Sequence, residues 1–184
     1  MLLNRKIAWL ITTLVMIVGL FVGNYASYHQ MRAPIIEEFR SEVGPIINEK
    51  IQLVYNMLTL YRLNAPENDE TRDFIMGVVR NIEIMQAEIE LVRNIYAASL
   101  MIDQDIAELY RRGQALEFDE NNSTIMRNLY TDIQEIKMIL SQSDYNDMAL
   151  AFNITVLEGL GFLTHNSVTE RIFRNYGMLP IFFY

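Results

Sequence analysis

Asp144, Asn146 and Asp147 stand close together in the stretch SDYNDMALAFN, residues 143–153, and could supply oxygen ligands to a hard cation such as calcium. A calcium loop of the EF-hand type needs oxygen ligands at alternating positions, glycine at the sixth and glutamate at the twelfth. Counted from Asp144, those positions hold Met148, Ala149 and Thr155 at the fifth, sixth and twelfth. The motif fails, and no metal or cofactor is expected. A polar helical face or a local cap explains these residues better.

Other chemical candidates are equally sparse. Gly159 and Gly161 give half of a dinucleotide fingerprint, but the third position is Thr164 and the segment follows a helical pattern instead of a strand. His29 and His165 have no nucleophile or paired carboxylate marked beside them, so no catalytic residue is assigned and the chain is read as a non-enzyme. The acidic pairs Glu88/Glu90 and Asp103/Asp105 are two apart, which turns them to different faces of a helix and reads as solvated surface. There is no cysteine, which excludes thiolate catalysis, disulfides and cysteine-ligated metal.

Charge limits the partners. The formal net charge is −8 with only three lysines (Lys6, Lys50, Lys137), so phosphate neutralisation is poorly served and no nucleic-acid partner is expected. All 23 acidic residues lie beyond residue 23, while Arg5 and Lys6 are the only charged side chains before it. An apolar content of 51% is high for an acidic chain of 184 residues and directs attention to that N-terminal stretch.

Residues 7–23, IAWLITTLVMIVGLFVG, are seventeen without a charge. At about 1.5 Å per residue they cover roughly 25 Å of helix, and the flanking Leu2, Leu3, Asn24 and Tyr25 extend this toward a bilayer core. A cleaved signal peptide is the competing reading, but Asn24 to Ser27 offer no small-x-small exit. Trp9, Tyr25 and Tyr28 suit an interfacial belt. The expectation is therefore a basic segment over 1–6 and a single transmembrane anchor over 7–25 in contact with the lipid bilayer. Arg5 and Lys6 place the N-terminus in the cytoplasm and the acidic domain outside it, by the positive-inside rule.

Beyond the anchor the apolar residues recur at threes and fours, so the fold class is all-α. A first long helix is expected over about 32–63, interrupted near Pro34 and Gly44-Pro45, with Ser41 a possible local cap. NAPENDE, residues 64–70, is a connection in which Asn68 or Asp69 caps the next run. That run carries Phe74, Val78, Ile82, Met85, Ile89, Val92, Tyr96, Ser99, Ile102, Ile106 and Leu109 up to Arg111-Arg112-Gly113, a single helix of about 45 residues if unbroken; a break near Ala97 to Ser99 is the alternative, though no glycine or proline stands there to cause it. Ser123 caps a third run through Ile125, Leu129, Ile133, Ile136, Leu140, Met148, Phe152 and Val156. Three long helices with short loops predict an elongated antiparallel bundle over 26–158. Over 159–184, Ser167 and Glu170 form a capping box for a short helix that Gly177 ends, before the apolar tail MLPIFFY.

The order of these parts resembles the LemA family of bacterial membrane-anchored helical proteins. YNDMALAFN, residues 145–153, is similar to that family's Y-N-x-x-x-x-x-[YF]-N signature on the last long helix, through Tyr145, Asn146, Phe152 and Asn153. NSVTERIFRNYGMLPIFF, residues 166–183, is similar to its short helix, glycine and Pro-aromatic tail, through Gly177 and Pro180. INEKIQLVYNML, residues 47–58, matches more loosely, and Leu163-Thr164 departs from the family's Phe-Pro. The resemblance implies a single-span protein of the bacterial cytoplasmic membrane with an extended helical bundle and no assigned catalytic residues. A non-catalytic scaffold or adaptor with protein partners or self-association is the expected function, with a sensory or ligand-binding ectodomain as the alternative.

Overall fold

A computed structural model describes residues 2–92, 95–116, 118–160 and Leu179, and all the regular secondary structure among them is helical. Helix α1 (Leu2–Glu38) leads through a π-turn (Phe39–Val43) into α2 (Gly44–Asn64), followed by α3 (Asp69–Leu91), α4 (Ile95–Gln114), α5 (Glu120–Ser141) and α6 (Asp144–Leu160).

The first long run does not restart at its prolines. Helix α1 passes through Pro34, and the interruption expected at Gly44-Pro45 takes the form of the π-turn just before it. The Gly44 N–H donates to the Phe39 carbonyl, five residues back. The widened turn suits Pro45, which lacks the donor for an ordinary helical bond and whose ring would crowd the preceding turn. Ser41 Oγ donates to the Glu38 carbonyl at 3.2 Å within the same segment.

The second expected helix is not one rod. Val92 adopts left-handed φ 46°, and α4 folds back antiparallel on α3. The ends register the reversal: Arg112 near the end of α4 reaches Glu70 at the start of α3 at 3.1 Å, and Asn81 donates to Asp105 at 2.8 Å. A β-branched residue in that conformation costs about 1–3 kcal/mol. Val92 is buried, and burying such a side chain stabilises by about 1.5–3 kcal/mol, which offsets the strain. The bundle thus has four packed helices, α2 to α5, where sequence periodicity predicted three long ones.

Helix α2 is the hub, touching α3, α4 and α5. Its Ile47, Lys50, Ile51, Val54, Met57, Leu58 and Tyr61 are all buried, at the three-four spacing of one apolar stripe. Facing it are Val78, Ile82 and Met85 of α3, Ile102, Ile106 and Leu109 of α4, and Ile133, Ile136 and Leu140 of α5. Gly113 brings α4 and α5 close, since a Cβ there would meet Met126 Cε at 2.9 Å. Tyr110 and Tyr130 stack with centroids 4.1 Å apart across the same pair.

Helix caps follow local chemistry. Asn68 Oδ1 accepts from the Thr71 N–H at 2.8 Å and opens α3. Asp119, instead of the expected Ser123, caps α5 by accepting from the Asn122 N–H at 2.6 Å. At Gln142 and Ser143 the third run breaks, and α6 leaves the bundle to pack on α1.

The first half of α1 lies apart from the core, with Trp9, Leu10, Val15 and Met16 all exposed. The single membrane span expected over 7–25 is not supported as such: among the described residues no helix is long and apolar enough to cross a membrane. The side chains of Ile17, Leu20, Phe21, Val22 and Tyr25, inside that stretch, lie outside the described set. So do residues 161–178 and 180–184, and with them the expected short C-terminal helix and most of the tail.

Gly77 sits exposed in the middle of α3, and none of the described residues comes within 4 Å of the place a Cβ would take. Glycine inside a helix costs about 0.5–1 kcal/mol relative to alanine. Gly77→Ala should raise the chain's stability by that amount, read as a higher denaturation midpoint with an unchanged slope.

Candidate functional site

The residues singled out by sequence gather at the joint between α5 and α6. Tyr145 is fully buried and meets Phe39 of the π-turn edge-on, ring centroids 5.3 Å apart. Asn146, also buried, turns its amide back on the end of α5, donating to the carbonyls of Leu140 at 2.6 Å and Ser141 at 3.2 Å. Those carbonyls have no partner within an α-helix that ends at Ser141, so the amide lets the chain bend without stranding them. Ser143 Oγ accepts from the Tyr145 N–H at 3.3 Å, a local turn contact of the kind expected there.

Two turns of α6 further on, Phe152 and Asn153 are buried. Asn153 makes a two-point contact with the backbone of Leu179: its Nδ2 donates to the carbonyl at 2.9 Å, and its Oδ1 accepts from the N–H at 2.8 Å. The C-terminal chain is thereby tied to α6 at Leu179. Gly177 and Pro180 lie outside the described residues. Met148, read as part of the apolar stripe, is 36% exposed, and the stripe instead runs Tyr145, Ala149, Phe152.

Electrostatics at the joint are acidic. Glu38 is pushed above its ordinary range, first by Glu42 beside it, with burial and Asp144 adding to the effect. Burial raises the Tyr145 phenol, and the Arg32 charge only partly counters it. Asp144, Asn146 and Asp147 do not converge on a point: the two carboxylates are exposed while the amide faces α5. Among the described residues no three His, Cys, Asp or Glu side chains are placed to hold a metal ion.

A second constellation sits in the middle of the bundle. Lys50, only 1% exposed, extends from α2 to donate to Asp103 Oδ1 of α4 at 2.7 Å and to Ser99 Oγ at 3.4 Å. Lys137 of α5 approaches the other oxygen of Asp103 at 3.4 Å. Burial lowers the Lys50 pKa, and the adjacent Asp103 carboxylate opposes that shift. An amine this enclosed joins three helices and is not open to a substrate from solvent.

This corrects the reading of Asp103 and Asp105 as solvated surface. Asp103 is 13% exposed in its side chain, and Asp105 is half-buried, its carboxyl raised by burial against the lowering effect of the Asn81 hydrogen bond. Two residues apart does put them on different flanks of α4, but both flanks are covered because α3 folds back on one and α2 and α5 close the other. The sequence signal was present in Lys50, a lysine inside an apolar stripe.

At the far end of the bundle, Arg112 lies over the Phe74 ring at 4.5 Å and donates through Nε to Glu108 at 2.6 Å, besides its contact with Glu70. Tyr61 packs edge-on against Phe74 at 5.7 Å. Glu108 also receives two hydrogen bonds from Arg111, and these guanidinium contacts pull its carboxyl down to about 2. The arrangement ties α3 to α4 next to the end of α2. His29 is exposed on α1, and His165 and Gly161 lie outside the described residues.

Neither family models, curated proteins nor solved structures give a match to this chain.

Asp103→Ala would leave Lys50 charged and enclosed, and should cost about 3–5 kcal/mol at neutral pH. That loss should shrink at alkaline pH, where Lys50 sheds its proton below the ordinary lysine value. The double variant Lys50→Met with Asp103→Leu should recover most of it in urea unfolding. Glu108, with a depressed folded pKa, contributes stability above pH 4.5 that is lost as the pH falls toward about 2. Glu108→Gln should therefore flatten the acid limb of a stability-versus-pH curve in that window.

Proposed function

We propose that this chain is a membrane-anchored helical-bundle protein of LemA type, a non-catalytic scaffold or adaptor at the bacterial cell envelope. The observation that carries the reading is the N-terminal half of α1. Trp9 is 71% exposed and Leu10, Val15 and Met16 are comparably bare, within a sequence that has no charge from residue 7 to residue 23. Exposed apolar surface of that extent is costly in water and suited to lipid.

The rest of the molecule supports a mechanical role more than a chemical one. Helix continues from Leu2 to Asn64 through the π-turn, so the bundle is carried on the same column as the anchor. Arg5 and Lys6 put the N-terminus in the cytoplasm under the positive-inside rule, with the acidic bundle on the other side. Protein partners or self-association would then act on the bundle.

A sensory ectodomain is the second reading. The π-turn and the Gln142–Ser143 break lie at one level, joined by the Phe39–Tyr145 contact, where the α1–α6 column could shift against the bundle. It predicts that disulfide-trapping α1 to α6 uncouples a cellular response; an unaltered response would remove it.

Membranes from expressing cells washed in alkaline carbonate should retain the full chain, and release into the wash would overturn the anchor. Asn68→Cys adds the only thiol to the chain. Labelling of that thiol by an impermeant reagent in intact cells is the expected outcome, and protection until lysis would reverse the orientation.

A further inference from the structure

We propose that Tyr110 and Tyr130 form an oxidative cross-linking site, at which a one-electron oxidant joins the two phenols by a carbon–carbon bond and staples α4 to α5. The inference concerns the bundle alone and rests on neither the membrane anchor nor the scaffold reading. The two rings lie nearly parallel, 16° between their planes, with centroids 4.1 Å apart. Offset stacking of this kind is a favourable packing of two aromatic rings. It also sets ring-edge carbons of the two residues at about 3.5–4 Å, close to the separation at which reacting atoms are poised. Tyr61 and Tyr145, by contrast, meet phenylalanines edge-on, and a phenylalanine offers no second phenol.

The frame around the pair holds it in that arrangement. On α4, Gly113 lies one turn beyond Tyr110, and on α5, Met126 lies one turn before Tyr130, so the tight Gly113–Met126 approach sits next to the stack. Two turns away on the other side, Asp103 of α4 meets Lys137 of α5 at 3.4 Å. The antiparallel helices are therefore held in register on both sides of the rings. Groups positioned in this way react as parts of one molecule, without an encounter between two chains.

The stack is also open to an oxidant. Both tyrosines are half-buried at the edge of the core, and neither hydroxyl has a hydrogen-bond partner among the described residues. Stacking uses only the rings, so the phenols remain for chemistry. Each phenol gives one electron to the oxidant and its hydroxyl proton to water, which leaves two facing phenoxyl radicals. Their unpaired electrons form one bond between ring carbons ortho to the oxygens. The hydrogen on each of those carbons then moves to the adjacent oxygen as a proton, restoring both aromatic rings. In sum two electrons and two protons leave and no atom is added. A peroxide-driven haem peroxidase is an oxidant of the required class, with hydrogen peroxide reduced to water.

The full chain in detergent micelles, oxidised with photogenerated tris-bipyridyl ruthenium(III), tests the site directly. Dityrosine fluorescence should appear in the single-chain band at a rate independent of protein concentration. Digestion should release a peptide pair linked through Tyr110 and Tyr130 and lighter by two hydrogens. Tyr110→Phe and Tyr130→Phe keep the stacked rings, so each should retain the melting transition while lowering that product at least tenfold. Tyr96→Phe removes a phenol that is 48% exposed and should leave the yield unchanged. A link between residues 110 and 130 restricts the unfolded chain, so the coupled protein should melt at a higher temperature.

Absence of the linked peptides from the unsubstituted chain, under conditions that couple free tyrosine, would overturn the proposal without reference to any variant. So would dityrosine confined to two-chain products, or single-chain dityrosine that survives Tyr130→Phe. A yield that falls as far with Tyr96→Phe would assign the coupling to exposure instead of stacking, and would overturn it too. None of these outcomes bears on carbonate extraction or thiol labelling, so the anchor and the cross-linking site fail separately.

Discussion

A charged amine enclosed by apolar helices has to be met by an anion, and the pairing of Lys50 with Asp103 is the constraint on which the bundle's register depends. Helix α2 supplies the amine, α4 the carboxylate and α5 the second amine at Lys137. Sliding any of the three by one turn, about 5.4 Å, would separate charges now at 2.7–3.4 Å and strand Lys50 in a place where only 1% of it reaches water. Apolar stripes of Ile, Val and Met tolerate such slips, because one aliphatic side chain substitutes for another. The ion pair does not, because breaking it leaves an uncompensated buried charge.

The same column shows how far that order extends. Helices α2 to α5 form the packed body, and the Phe39–Tyr145 contact marks its lower edge. Below that edge α1 and α6 continue, with Leu179 held against α6, and both helical columns change there: one by a π-turn, the other by a break that Asn146 closes. Placing two interruptions at one level concentrates any bending in a plane, whereas staggered ones would brace each other. Burial of Phe39, Val43 and Tyr145 keeps that plane packed, so it is a joint with defined geometry and not a loose linker.

Periodicity made the helices legible because a three-four apolar repeat reports one buried face, and that face is real in α2, α3, α4 and α5. It could not report the reversal at Val92. A helical hairpin whose two arms both turn their stripe to one core keeps the repeat nearly in phase, and no glycine or proline marks the turn. The αL conformation was instead taken by a valine whose burial compensates the strain, a tertiary effect invisible to local propensity. The burial of Asp103 escapes the sequence for the same reason. Its environment depends on α4 lying beside α2, which follows from the hairpin.

The joint was more readable than the ionic cluster because its chemistry is local. Asn146 lies five and six residues from the carbonyls it satisfies, within reach of any helix that ends at Ser141. Asn153 differs: its partner Leu179 is 26 residues away, and sequence could offer the amide but not the backbone it would meet. A buried asparagine bonded to both the N–H and the C=O of one residue holds that residue's backbone whatever side chain it carries. The identity of Leu179 therefore matters less than its backbone, and the specificity of the tether resides in Asn153. That asymmetry explains why the Y-N…F-N spacing is the informative feature of the C-terminal region: it fixes one amide at the helix break and a second, two turns later, where the returning chain must pass.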